Sequence, residues 1–409
     1  MRASRVAALF VALTLIATYP IILAPGSYTY FGHSDAQLNM WILAWNAHAL
    51  RHTPLHLFDA NIFYPERGTL AYSETLLGYL PIFGPILWLR GSPALAFNAI
   101  ILFSFAASGF AMYLLARHLT GRQWPAIVAG IVYAFTPYRF VHFPQIQLES
   151  MEWFPLAFLC LHLFYERGER RYALGVGAFV AMEALCCVYY AVFLAIALTV
   201  AAAVLAARDR RARDWRALST LLIVACLTAI AVVPLVGEYV RVHRTQHLER
   251  SFAEIGRKSA APETYLASPS RLHQRLWASG LQAPRDYLFP GIAAVFLAVM
   301  GLAGRRALVL TYATIAVSPP RSGPAAWMEC RCTICSIRRF PSFTGFARFR
   351  GSACWSSSAS ASLPRWARPS SSRVCARPVP SPTWRSQGSS SWSSSSPRCA
   401  RTGRAARRW

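Results

Sequence analysis

Apolar residues gather into eight runs, at 6–24, 94–116, 124–138, 146–165, 172–187, 189–207, 217–236 and 287–303, and a further run opens at 307 and stops at 318. A helix needs about 20 mainly apolar residues to cross roughly 30 Å of hydrocarbon. The pattern therefore predicts an all-α, polytopic transmembrane helix bundle of about eight complete spans. The stretch 172–207 is almost continuously apolar and has basic clusters at both ends, so it reads as a hairpin of two spans.

Arginines between the runs give the expected orientation. With the N-terminus on the cytoplasmic side, Arg2, Arg5, Arg117, Arg122, Arg167, Arg170, Arg171, Arg208, Arg210, Arg211, Arg213, Arg216, Arg305 and Arg306 share that face. The first loop, about 25–93, then lies outside, and so does a second at about 237–286. Within the first loop, Leu38, Trp41, Ile42, Trp45 and Ala49 recur at helical spacing, which predicts an amphipathic helix lying in the interface with tryptophans at headgroup depth. Leu76 to Leu89 carries Pro81 and Pro85 and reads as a second interfacial or re-entrant helix. The first run reads as an uncleaved anchor rather than a signal peptide, because no small-residue cleavage pattern stands near Ala24.

Composition agrees with a membrane protein and argues against a soluble enzyme: 55% of residues are hydrophobic and 14% charged. The net charge of +25 suggests nucleic acid until it is divided along the chain. Residues 1–318 hold 26 Lys and Arg against 16 Asp and Glu, whereas 319–409 hold 16 Arg against Glu329 alone. This second portion is rich in Ser, Arg and Pro and contains six of the ten cysteines. It cannot bury enough apolar surface to offset its ordering entropy and is expected to be disordered.

Three readings of that tail compete. A nucleic-acid or anionic-lipid arm lacks regular repeats, and a zinc site at Cys330, Cys332 and Cys335 lacks a second pair with finger spacing. A shifted reading frame explains the runs of Ser, Trp, Cys and Arg, because Leu, Val and Ala codons of GC-rich DNA turn into these when read out of register. That third reading is preferred here. It leaves 1–318 as the transmembrane domain and makes nucleic acid an unlikely partner.

Six positions could carry chemistry. Asp35 opens the amphipathic helix; it serves there either as an N-cap or as a general base at the membrane surface. Arg139 sits in the outside turn after the third span, where a guanidinium suits a phosphate or snorkels to lipid headgroups. Glu149, Glu152 and Glu183 lie in or near apolar runs, where a carboxylate marks a functional site. His142 lies between Arg139 and Glu149. His243 and His247 are i, i+4 neighbours, but no acid motif accompanies them and no metal site is predicted. The cysteines Cys160, Cys186, Cys187 and Cys226 read as packing residues.

A series of segments then carries a resemblance: His33-Ser34-Asp35, the tryptophan-rich helix, Phe63-Tyr64-Pro65-Glu66, the proline-containing helix, Tyr113-Leu114-Leu115-Ala116-Arg117-His118-Leu119-Thr120-Gly121, and Ala134-Phe135-Thr136-Pro137-Tyr138-Arg139. Their order resembles the GT-C superfamily of integral membrane glycosyltransferases, in its bacterial polyprenyl-phosphate-sugar-dependent form, over residues 1–318. The resemblance implies a protein of the bacterial inner membrane that transfers a sugar from a polyprenyl-phosphate donor to an acceptor at the periplasmic face. It also implies Asp35 as the acid that deprotonates or orients the acceptor hydroxyl, and Arg139 as a ligand of the donor phosphate. Glu149 and His142 match a second acid or an acceptor contact, a position that takes a divalent metal in some members; no metal is firmly implied. The remaining spans and the periplasmic part of that family are missing from this sequence, so activity of this chain is in doubt.

Overall fold

The computed structural model describes residues 2–27, 34–208, 214–246, 260–281 and 286–303. The tail 319–409, the run 307–318, His33 and His247 lie outside them. Among the described residues every regular element is helical. In chain order the α-helices are α1 Ala3–Ala17, α2 Ser34–His52, α3 Leu80–Arg90, α4 Pro93–Thr120, α5 Gln123–Ala134, α6 Pro137–Val141, α7 Trp153–Arg167, α8 Arg170–Cys186, α9 Val188–Arg208, α10 Trp215–Gln246, α11 Arg271–Leu276 and α12 Ile292–Ala303.

Each of the eight apolar runs contains a helix. Three of these helices, α4, α9 and α10, are long and apolar enough to cross a membrane, and α1 and α12 are shorter apolar helices. Helix ends follow local chemistry. Ser92 caps α4, its side chain accepting the Leu95 N–H, and Pro93 supplies the first helical residue. Gly91, Gly121 and Gly168 end α3, α4 and α7 at positive φ, a conformation that costs glycine little.

Several boundaries differ from those the sequence predicts. The run 124–138 divides at Ala134 because Pro137 starts a separate short helix, and the run 146–165 begins as a 3-10 turn over Ile146–Glu149 before α7 starts at Trp153. Helix α10 does not stop near 236 but continues to Gln246, so the expected second loop starts later. Its polar end is held on the first loop: Tyr239 donates to Ser73 O at 3.0 Å, Gln246 donates to Arg67 O at 3.0 Å, and Arg241 pairs with Glu238 on the helix itself.

Helix α2 is also more enclosed than an interfacial amphipathic helix. Asn39, Leu43 and Asn46 are fully buried, while Trp41 and Trp45 pack on the core as half-buried residues. The asparagines make this burial tolerable, because Asn39 donates to Pro144 O at 2.9 Å and Asn46 donates to Thr75 O at 2.5 Å.

The largest core joins α2, α3 and α4 through Leu43, Phe83, Phe97 and Phe105, with Phe143 and Ile146 packed against them. A second core unites α7 and α9 with Leu115 of α4. In a third, Phe10 of α1 lodges between α4 and α5. At Gly109 and Gly130 an added methyl would lie closer than 3.0 Å to the Phe10 ring. Gly130→Ala should therefore destabilise the fold by about 1–3 kcal/mol through overpacking, read as a lower thermal midpoint in detergent. An unchanged midpoint would mean that the α1 contact does not form.

Candidate functional site

The chain between α5 and α7 forms the centre of the site. Pro137 and Pro144 prevent one continuous helix there, and the resulting short helix and turn bring several polar side chains inward. Arg139 lies on α6 and is fully buried. Its Nε donates to Glu149 Oε2 at 2.6 Å, Nη1 to Ala134 O at 3.2 Å, and Nη2 to Ser104 Oγ at 2.9 Å and Glu149 O at 3.1 Å. The guanidinium carbon stands 3.9 Å from the centroid of Phe105. A buried cation is tolerated only when its donors are answered in this way.

Further carboxylates surround this pair. Ser104 Oγ, which also contacts the Glu149 carbonyl, lies 2.8 Å from Glu152 Oε2, and Ser108 Oγ lies 3.4 Å from the same oxygen. Glu183 of α8 accepts from Ser150 at 2.7 Å. Glu74, in the loop before α3, accepts the Val188 N–H at the start of α9 at 3.1 Å. Burial raises the Glu74 carboxyl to about 8, against the hydrogen bonds from Val188 and Cys187. Four helices and two loops thus meet through glutamates with few cations among them.

The same segment reaches α2 and α12's leading loop. Gln145 donates to Asp35 Oδ2 at 2.7 Å, and Gln147 Oε1 accepts from Asn39 at 3.2 Å. His142 stacks on Tyr138 with ring centroids 4.0 Å apart; its Nδ1 lies 2.9 Å from Tyr138 O and its Nε2 3.6 Å from Asp286 Oδ1.

Asp35, Arg139, His142 and Glu149 are therefore all tied to one short segment, but they form three separate contacts. Arg139 and Glu149 pair with each other, His142 faces Asp286, and Asp35 meets Gln145. Asp35 lies within the first turn of α2, which starts at Ser34, and keeps partial exposure. Arg139 departs from the expectation of a guanidinium open to a lipid phosphate. Its donors are taken by protein groups, and it has no surface left for a phosphate. Among the described residues no group of three His, Cys, Asp or Glu is placed to hold a metal ion.

The sequence reading missed Ser104, Ser108 and Gln145. The serines did leave a signal, an i, i+4 polar pair within an apolar helix, which puts both on one face. Gln145 left none, since only the tertiary packing brings it to Asp35.

Helices long enough to span a bilayer, together with a polar interior shielded by aromatic residues, define a helical integral membrane protein. The family described as a 6-pyruvoyl-tetrahydropterin synthase related domain, membrane protein, matches residues 76–281, and the chain belongs to it. The matched region contains Arg139, His142, Glu149, Glu152 and Glu183 and leaves out Asp35. No curated protein and no solved structure matches the chain.

Two predictions follow from burial. Arg139→Met and Glu149→Ala should each destabilise by about 3–5 kcal/mol, because each strands an ionisable partner. The double variant should lose much less than their sum; additive losses in a double-mutant cycle would show that the pair is uncoupled. For Glu74, the folded pKa lies above the unfolded one, so the protonated carboxyl favours the fold. That contribution is complete below about pH 4.5 and disappears as pH rises to about 8. Glu74→Gln should then leave the thermal midpoint unchanged at pH 5 and raise it by a few degrees at pH 9. An equal effect at both pH values would contradict a buried, neutral Glu74.

Proposed function

We propose that this chain has the design of a GT-C-type glycosyltransferase, which moves a sugar from a polyprenyl-phosphate donor to an acceptor at the periplasmic face of a bacterial inner membrane, its N-terminus in the cytoplasm. The observation that carries the reading is the Asp35–Gln145 hydrogen bond at 2.7 Å. It orients a partly exposed carboxylate at the start of α2, on a segment that the buried Arg139–Glu149 pair keeps in place. The order of sequence motifs along residues 1–318 supports the same reading.

In the proposed reaction Asp35 takes the proton of an acceptor hydroxyl. The hydroxyl oxygen bonds to the anomeric carbon, the bond from that carbon to the phosphate oxygen breaks, and polyprenyl phosphate leaves with the electron pair. Arg139 is a positioning residue in this scheme, acting through Glu149 and the turn that bears Gln145. Glu149 likewise positions the turn and does not meet the acceptor. His142 is buried beside Asp286, and an acceptor contact at this residue is the part of the scheme that the resemblance alone supplies.

A transporter or a non-catalytic lipid-binding membrane protein is the second reading. It is favoured by the interior carboxylates: Glu149 Oε1 and Glu183 Oε2 are buried without a hydrogen-bond partner among the described residues. Intramembrane carboxylates of that sort are typical of ion and proton pathways.

The test uses the full chain in lipid nanodiscs with short-chain polyprenyl-phosphate-linked mannose, glucose and galactose, reading released polyprenyl phosphate. Asp35→Asn should lower turnover by about 10²–10⁴-fold with an unchanged melting midpoint. Turnover that survives Asp35→Asn would reject the catalytic assignment. A protein with no turnover, whose proteoliposomes show a proton flux abolished by Glu183→Gln, would favour the second reading.

A further inference from the structure

A groove of about 840 Å³ runs between the C-terminal end of α7, the N-terminal end of α8 and the first turns of α10. It is remote in sequence from Asp35, Arg139 and their partners, and the proposed reaction makes no use of it. Its lining is of two kinds. Arg167, Arg170 and Arg216 border one part, while Leu174, Ile223 and Leu227 form another. Those three aliphatic side chains are 56%, 58% and 54% exposed, so apolar surface lies open directly beside guanidinium groups.

The lining also holds two acids, of which only Glu166 meets an ionisable partner among the described residues. Glu166 Oε1 lies 3.0 Å from His118 Nε2, and Asp214 Oδ1 accepts the Arg216 N–H at 3.3 Å. Arg167 donates to the Tyr172 hydroxyl at 2.7 Å, a neutral partner that leaves its charge uncompensated. Arg171, next to the groove, pairs with Glu169 at 2.7 Å, whereas Arg170 and Arg216 are exposed and form no ion pair among the described residues. The two flanking stretches, 166–172 and 208–216, hold eight arginines against four acids.

Depth is indicated by Trp215, which is 75% exposed at the first turn of α10, immediately before the apolar stretch begins. Tryptophan at such a boundary sits at the level of lipid headgroups. A ligand that satisfies both walls must combine an anionic head with hydrocarbon. A soluble anion would leave the aliphatic wall without contact, and a neutral lipid would leave the guanidinium groups without a counter-charge.

We propose that this groove binds an anionic glycerophospholipid of the surrounding leaflet, with its phosphodiester held by Arg170 and Arg216 and an acyl chain lying along Leu174, Ile223 and Leu227. The two arginines are surface residues, so their loss removes lipid affinity without disturbing a core. The occupied groove joins α7, α8 and α10, so a bound lipid also stabilises the fold by mass action.

The full chain, purified in a neutral detergent, is titrated with dioleoyl phosphatidylglycerol, dioleoyl phosphatidylcholine or glycerol 3-phosphate. Retained lipid is read by native mass spectrometry, and stability by thermal melting. Phosphatidylglycerol should be retained at least about tenfold better than phosphatidylcholine and should raise the melting midpoint, since each tenfold preference corresponds to about 1.4 kcal/mol. The double variant Arg170→Gln, Arg216→Gln should bring phosphatidylglycerol retention down to the phosphatidylcholine level, while Arg122→Gln, which changes an exposed arginine outside the groove, should not. Should the double variant lose its helical spectrum, the two single variants are read instead, each expected to weaken retention. Equal retention of the two lipids overturns the proposal, as does undiminished binding to the arginine variants. Glycerol 3-phosphate that reproduces the full stabilisation would also overturn it, by showing a site for a soluble phosphate.

Discussion

A guanidinium that reaches no solvent dictates much of the arrangement around it. Arg139 cannot lose its charge under any ordinary condition, so every element near it must present an acceptor or an aromatic face. Ser104 comes from α4, the Ala134 carbonyl from the end of α5, and Glu149 from the turn before α7. Phe105 closes the remaining side with its ring. Three successive helices are thus brought into register by one side chain. The short, proline-limited chain between α5 and α7 has its shape because a continuous helix could not bring residues 139 and 149 together.

Around that cation the interior is more acidic than the core of a helical bundle usually is. Glu74, Glu152 and Glu183 are buried with hydroxyl and amide partners rather than with bases. A neutral carboxyl is less costly in such surroundings than a carboxylate, and the raised value of Glu74 agrees with that. The polar interior also explains how irregular backbone, such as the turns at 69–79 and 146–152, can exist among apolar helices: the carbonyls of Ser73, Thr75, Glu149 and Met151 accept from Tyr239, Asn46, Arg139 and Tyr133.

The apolar runs were legible in the sequence because hydrophobicity integrated over about 20 residues is a strong signal, and each of the eight runs within the described residues contains a helix. Ends were less legible. The extension of α10 to Gln246 depends on contacts with Ser73 and Arg67, more than 160 positions away in the chain. For the site, the residue types were readable but the partners were not. Arg139 and Glu149 stood out as charges in apolar surroundings, yet a guanidinium pointing to a headgroup and one turned into the core have the same local sequence. What decided between them was Ser104, on a helix that composition alone would describe as uniformly oily. The burial of Asn39 and Asn46 left no mark in the sequence, since it rests on tertiary hydrogen bonds to Pro144 and Thr75.

Helix α10 has a geometric consequence beyond its own packing. At 1.5 Å per residue its 32 residues make a rod of about 48 Å. One tip carries Arg216 beside the amphipathic groove; the other is fastened by Tyr239 and Gln246 to the loop that leads into α3. Pro234 interrupts the hydrogen-bond ladder near the fastened tip and supplies a natural pivot. One continuous element thus joins the arginine-bordered groove to the loop that carries Ser73 and Glu74.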